Sequence, residues 1–312
     1  MSRIYDALQK AEQKHAGGDP IHSLAPASSP TLDNLLDDSE PLNHVTEAAA
    51  EVPRSPEPRT YSAQNEARVV SWKPSSEMVF VEDHSADVLV TEEIRRLRSR
   101  LYHLRDKKPF KSIMISSALP GEGKTFLAAN LAHVLARRRG HRVLLIDADL
   151  RKPGAHAVLG APQNPGLSEY LRGEHDEAAV IQTGSIDGLS FIPGGSLAQD
   201  PSELLANGGM RKLMEYAARL YDWIVVDSSP VIPTSDGTVL ARFCDAVLLV
   251  VKAASTSFDA GQIAKAELKD HHVLGVVLNQ VLEYSENTYA YHAYGSVARS
   301  APTSIPLRRE EE

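Results

Sequence analysis

The chain has 312 residues, long enough for one large folded unit with additional segments. Its 33 Lys and Arg against 41 Asp and Glu give a formal charge of −8, which argues against a general nucleic-acid-binding surface. A single cysteine, Cys244, excludes a disulfide framework and fits a reducing cytoplasm, and no apolar run approaches the ~18 residues needed to cross a bilayer.

Residues 1–14 place Ile4, Leu8 and Ala11 on one helical face, a short helix that is marginal alone. Residues 15–76 lose periodicity and fill with Pro, Ser, Ala, Glu and Asp; they read as a disordered linker whose apolar content cannot offset chain entropy. The folded domain is expected over 77–282. Its first helix, Ala86–Arg105, carries the apolar stripe Leu89, Ile94, Leu97, Leu101 and Leu104. Within it Glu92, Arg95 and Arg98 recur every third position. That spacing fits either a solvated charged face or a row that pairs with another subunit.

Ile113–Ile115 reads as a buried strand and Leu127–Arg138 as a helix. Between them Ala118-Leu119-Pro120-Gly121-Glu122-Gly123-Lys124-Thr125 has the strand–loop–helix setting of a phosphate loop. Gly121 and Gly123 let backbone amides converge on phosphate oxygens, and the helix N-terminus adds partial positive charge. Lys124 can reach β/γ-phosphates, the Thr125 hydroxyl can bind Mg²⁺, and Phe126 opens the helix beside them. Ala118 stands where the general pattern has glycine.

A second buried strand, His141–Asp147, ends in Asp147-Ala148-Asp149-Leu150-Arg151. Carboxylates at the carboxyl end of a parallel strand face the ligand crevice, where one can support Mg²⁺ and another can accept a proton. A short helix over Gly166–Leu171, a strand over Leu189–Pro193 and helices over Pro201–Ala206 and Met210–Leu220 follow. A fourth strand closes on Asp227 after Ile224-Val225-Val226, the usual form of the second metal-side acid. Asp245–Val251 and Val273–Leu278 complete the strands, with a helix over Phe258–Leu268 between them. Asn279 ends the last strand, where its amide either reads an adenine edge or makes a turn. The alternation predicts an α/β fold: a doubly wound, mostly parallel sheet of the P-loop NTPase type. Residues 283–312 form a flexible tail containing Tyr284, Tyr289, Tyr291 and Tyr294, with no apolar periodicity to bury them.

From about Ala86 to Tyr294, the loop Ala118–Thr125, AspAlaAspLeuArg at 147–151, IleValValAsp at 224–227, the Glu92/Arg95/Arg98 row and the terminal tyrosines resemble the bacterial tyrosine kinases (BY-kinases) of capsule and exopolysaccharide synthesis. The resemblance is to the cytoplasmic form without a membrane domain. It implies ATP and Mg²⁺ as cofactors, with Ala118, Pro120, Gly121, Glu122, Gly123, Lys124, Thr125, Phe126 and Asn279 around the nucleotide. It implies Thr125, Asp149 and Asp227 as metal ligands, Lys124 and Asp147 as catalytic groups, and autophosphorylation in trans at Tyr284, Tyr289, Tyr291 and Tyr294. It further implies a homo-oligomeric ring through Glu92, Arg95 and Arg98, a membrane chain-length regulator (co-polymerase) as partner, and a tyrosine phosphatase. No nucleic-acid partner is expected. The protein would be cytoplasmic and recruited to the inner face of the plasma membrane through its partner. Ser228-Ser229-Pro230 departs from the family's usual Thr-Pro-Pro, and Asp200-Pro201-Ser202-Glu203 from Asn-Pro-Ser-Glu. Two other readings compete. One is a MinD/ParA-like positioning ATPase, against which stands the lack of an early second lysine in the loop; a nucleotide-gated oligomerising scaffold is the other.

Overall fold

The computed structural model describes residues 67–79 and 88–281. In chain order they form β1 (Arg68–Val69), α1 (Val88–Lys107), β2 (Ser112–Ser117), α2 (Lys124–Ala136), β3 (Val143–Asp147), α3 (Ala155–Leu159), α4 (Leu167–Leu171), α5 (Glu177–Val180) and β4 (Gln182–Thr183). There follow β5 (Leu189–Ile192), α6 (Pro201–Ala206), α7 (Gly209–Leu220), β6 (Trp223–Asp227), α8 (Asp236–Ala241), β7 (Ala246–Lys252), α9 (Phe258–Glu267) and β8 (Val273–Asn279). The strands join in one sheet in the order β1-β4-β5-β3-β6-β2-β7-β8, parallel throughout except for the β4–β5 pair. This is the expected doubly wound α/β sheet of the P-loop class.

The central strands are continuous apolar runs because both faces of the sheet are covered. Alternate residues enter separate cores. Ile113, Ile115, Val143, Leu145, Trp223, Val225 and Leu248 pack on one side with α1 and α2. Met114, Leu144, Ile146, Ile224, Val226 and Leu249 pack on the other with α6, α7 and α8. Helix α7 buries Met210, Leu213, Met214 and Ala217, the spacing of one helical face. Helix α2 lies between the sheet and α1 and is buried all along Leu127–Ala136. Each fully buried Leu, Ile or Val contributes about 1.5–3 kcal/mol. This packing holds the phosphate-loop helix firmly behind β2.

The folded part begins earlier than residue 77. Residues 67–76, assigned to the linker from composition, form a strap against the domain. β1 pairs with β4, the Lys73 amide donates to the Gly160 carbonyl, and Trp72 is buried edge-on against Phe191. Gly184 makes room: a Cβ there would meet the Trp72 ring at 2.1 Å. The strap reaches α2, where Asn130 accepts from the Val79 amide at 3.0 Å and donates to the Glu77 carbonyl at 2.8 Å. The short helix expected at 1–14, the rest of the linker, and Tyr284, Tyr289, Tyr291 and Tyr294 lie outside the described residues.

Candidate active site

The loop between β2 and α2 is shaped by its own acid. Glu122 is buried; one carboxylate oxygen accepts from the Leu119 amide at 2.8 Å and the other from the Thr256 hydroxyl after β7. Asn279, at the end of β8, gives its amide to the Glu122 carbonyl at 2.8 Å. One N–H of that amide thus braces the loop, a contact beside the adenine reader or turn that the sequence offered. Gly123 sits at φ +93, and a Cβ there would fall 2.0 Å from the Asn279 amide nitrogen. Glycine is required on both counts. Ala118 is fully buried and is not among the described residues with positive φ, so the missing first glycine leaves no strain. Pro120 and Gly121 are exposed at the loop's crown, and Lys124, Thr125 and Phe126 are half-buried on the first turn of α2.

Three acids gather at the carboxyl ends of β3 and β6. Asp147 and Asp227 are direct partners in the β3–β6 register, so their carboxyls leave adjacent strands side by side. Asp147 is fully buried; its Oδ2 accepts the Gly154 and Ala155 amides at 2.9 and 3.0 Å, and its Oδ1 accepts the Asp149 amide at 3.3 Å. Burial, reinforced by Asp227, nevertheless holds its pKa well above the usual carboxylate range. Asp227 is also raised, first by burial, and both its oxygens are sealed from solvent without a donor at hydrogen-bonding geometry. Nearby Lys124 and the Thr125 hydroxyl favour its charged form.

Asp149 carries the cation. Its Oδ2 lies 2.8 Å from Lys124 Nζ, and its Oδ1 accepts the Ser229 hydroxyl at 3.0 Å and the Lys152 amide at 3.1 Å. Burial alone would lower the Lys124 pKa, but Asp227, Asp149 and Asp147 more than offset it and leave it raised. Lys124 also approaches Thr125 Oγ1 at 3.3 Å. Lys124, Thr125, Asp147, Asp149 and Asp227 thus converge.

This donor set suits a hard divalent cation. Magnesium is commonly held by one or two carboxylates, a hydroxyl and substrate phosphates. A buried carboxylate with no donor at full hydrogen-bonding geometry, Asp227, beside a second acid and the Thr125 hydroxyl, meets that need. No group of three or more His, Cys, Asp or Glu poised to hold a metal by themselves occurs among the described residues.

Two partners were not anticipated from sequence. Ser229, from the departing Ser228-Ser229-Pro230 stretch, bonds Asp149, while Ser228 bonds the Ile115 carbonyl at 3.1 Å. Asp236, buried at the start of α8, takes a two-point contact from Arg151 at 2.5 and 3.0 Å, and the Ser202 hydroxyl also donates to it. The Glu92/Arg95/Arg98 row divides. Glu92 pairs with Arg95 within α1, but Arg98 turns inward to the Val134 carbonyl of α2 at 3.1 Å. Cys244 is half-buried, and burial with nearby Asp245 raises its thiol pKa, which leaves it unreactive.

Phosphate loop, strand-end acids and doubly wound sheet together define a nucleotide-binding protein of the P-loop class. A family model described as the CobQ/CobB/MinD/ParA nucleotide binding domain matches residues 113–299. Tyrosine-protein kinase Etk of Escherichia coli K12 is 34% identical over 211 residues, covering 67% of this chain and 29% of Etk. Tyrosine-protein kinase YwqD of Bacillus subtilis 168 is 32% identical over 206 residues, covering 65% of this chain and 86% of YwqD. The solved kinase domain of E. coli ETK superposes with a TM-score of 0.63 at 31% identity, covering 69% of this chain and 83% of that one. The chain belongs to the CobQ/CobB/MinD/ParA nucleotide-binding family and, within it, to the bacterial tyrosine kinases. It spans less than a third of the length of Etk but most of YwqD.

Proposed function

We propose that this chain is an Mg-ATP-dependent protein-tyrosine autokinase that regulates exopolysaccharide or capsule polymerisation and export. The observation that carries this reading is the convergence of Lys124, Thr125, Asp147, Asp149 and Asp227 at one strand edge. Lys124 and the amides of the loop bind the phosphates, and the first turn of α2 adds its positive end. Thr125, Asp149 and Asp227 hold Mg²⁺, which would neutralise charge developing on the transferred phosphoryl group. Asp147 accepts the proton of the attacking tyrosine hydroxyl; burial beside Asp227 raises its pKa and with it the proton affinity that task needs. Acceptors are Tyr284, Tyr289, Tyr291 and Tyr294, used in trans within a homo-oligomeric ring to which Glu92, Arg95 and Arg98 contribute. Accumulated phosphate, each group adding about −1.5 to −2 charges, would loosen the ring and a phosphatase would reset it. A membrane co-polymerase recruits the chain and activates it through its cytoplasmic end.

The test is to incubate the purified full chain with Mg-ATP, with and without the partner's cytoplasmic segment, and to map phosphotyrosine by mass spectrometry. The tail tyrosines should gain phosphate, including in a Lys124→Met chain mixed with wild type. ATP binding without phosphotyrosine in either condition would overturn the kinase reading in favour of a nucleotide-gated scaffold.

A further inference from the structure

We propose that the amino-terminal edge of the sheet docks directly on the anionic surface of a lipid bilayer. The segments that lead into β2 and β3, residues 105–111 and 137–142, contain eight Lys or Arg and one carboxylate, Asp106. The residues the structure describes carry 25 Lys or Arg against 22 Asp or Glu, so outside these two segments they are net acidic, 17 against 21.

The two segments form one patch. The Tyr102 hydroxyl lies 3.4 Å from His141 Nδ1, and the Arg138 guanidinium sits 5.2 Å over the Tyr102 ring. Some of the cations have internal roles: Arg105 stacks on Trp223 at 4.4 Å, and Lys111 Nζ donates to the Ala218 carbonyl at 2.8 Å. Lys107, Lys108, Arg137 and Arg139 do not. All four are exposed, and none has an ion pair with a carboxylate among the described residues. Earlier along α1, by contrast, Arg95 and Arg96 pair with Glu92 and Glu93. Two neighbouring acids on this edge are spent on backbone amides, Asp222 on that of Arg142 and Asp245 on those of Lys111 and Ser112; a third, Asp187 before β5, is exposed. A cation or two after a helix is the ordinary response to its dipole, but each of these two segments carries four Lys or Arg.

Charge and shape favour a bilayer over a nucleic acid. An extended polyanion would run beyond this edge onto the net acidic remainder of the domain, whereas a flat anionic surface meets the edge alone. The one exposed large aromatic among the described residues, Phe258, follows β7 at the opposite edge, so this patch offers no base-stacking platform. Docking here leaves Asp147, Asp149, Asp227 and the phosphate loop at the carboxyl edge open to nucleotide. The proposal does not depend on the chain being a kinase.

The test is co-sedimentation of the full chain with vesicles of phosphatidylglycerol and phosphatidylcholine, against vesicles of phosphatidylcholine alone. Binding should require phosphatidylglycerol and fall as salt is raised. Combined Lys107→Glu, Lys108→Glu, Arg137→Glu and Arg139→Glu substitution should weaken it about tenfold or more, with ADP binding unchanged. Should charge reversal impair folding, the four Gln substitutions replace it, with a smaller loss in the same direction. Equal binding to both vesicle types, undiminished binding by the substituted chain, no binding at all, or preferential displacement by single-stranded RNA would each overturn the proposal.

Discussion

Lys124 and Asp149 are joined by a 2.8 Å ion pair whose side chains are only 12% and 5% exposed. Removing one partner from such a pair leaves an uncompensated buried charge. Here Asp147 and Asp227 lie close by and add to the imbalance. Lys124→Met should destabilise the nucleotide-free chain at neutral pH by about 3 kcal/mol in urea unfolding. The loss should shrink in acid as the carboxyls protonate. Unchanged stability at neutral pH would mean that the pair is too solvated to matter.

Asp227 makes the opposite prediction. Its carboxylate is buried with no donor at full hydrogen-bonding geometry, Thr125 and Lys124 being near, and both it and Asp147 have raised pKa values. For an acid raised in the folded state, the native chain holds its proton more tightly than the unfolded chain. The associated stability is present below the ordinary carboxylate value, about pH 4, and is lost as pH rises through the raised values toward neutrality. Asp227→Asn removes one titrating charge and relieves its neighbour. It should raise or preserve the melting temperature at pH 8 and flatten its decline from about pH 5. Mg²⁺-dependent nucleotide affinity should fall at the same time. A lower melting temperature at pH 8 would show that attraction to Lys124 outweighs burial.

The brace between Asn279 and the Glu122 carbonyl, 2.8 Å long, separates two roles for Asn279. If Asn279 acts by holding the loop, Asn279→Ala should weaken ATP and GTP binding by the same factor, several-fold. A loss confined to ATP in calorimetry would restore the base-reading role. Gly123→Ala should be more severe, about a hundredfold, because it meets Asn279 and forces a side chain into the left-handed region. Combining it with Asn279→Ala should not recover binding, since the backbone strain persists.

The buried strands ending in Asp147 and Asp227 were legible because a parallel strand covered on both faces must be apolar throughout and break at its polar end. The phosphate loop was legible for the same local reason. The strap at 67–76 was not: a two-residue strand has no periodicity, and Trp72 finds its place through Phe191 and Gly184, more than a hundred residues away. The inward bond of Arg98 was not legible, for a geometric reason. Three residues advance about 300° around a helix, so Arg98 lies about 120° from Glu92 and faces α2. Asp236 and Ser229 meet their partners across 85 and 80 residues, a relation no local pattern carries.

Ser229 tests whether the support of Asp149 matters to the metal. Its hydroxyl holds Oδ1 at 3.0 Å while Lys124 holds Oδ2, and both Ser229 and Asp149 are buried. Ser229→Ala would leave a buried carboxylate short of one donor, at a cost of about 1–2 kcal/mol. The carboxylate would then be freer to rotate, and the metal would find it less well oriented. The expected signature is several-fold weaker Mg²⁺ dependence of ADP binding, with metal-free ADP affinity unchanged. Ser229→Thr should restore it, because it keeps the hydroxyl, whereas Ser229→Pro, which brings the position to the family's usual residue, should behave as Ser229→Ala. Equal losses with and without Mg²⁺ in calorimetry would make Ser229 a packing residue of the β6 end.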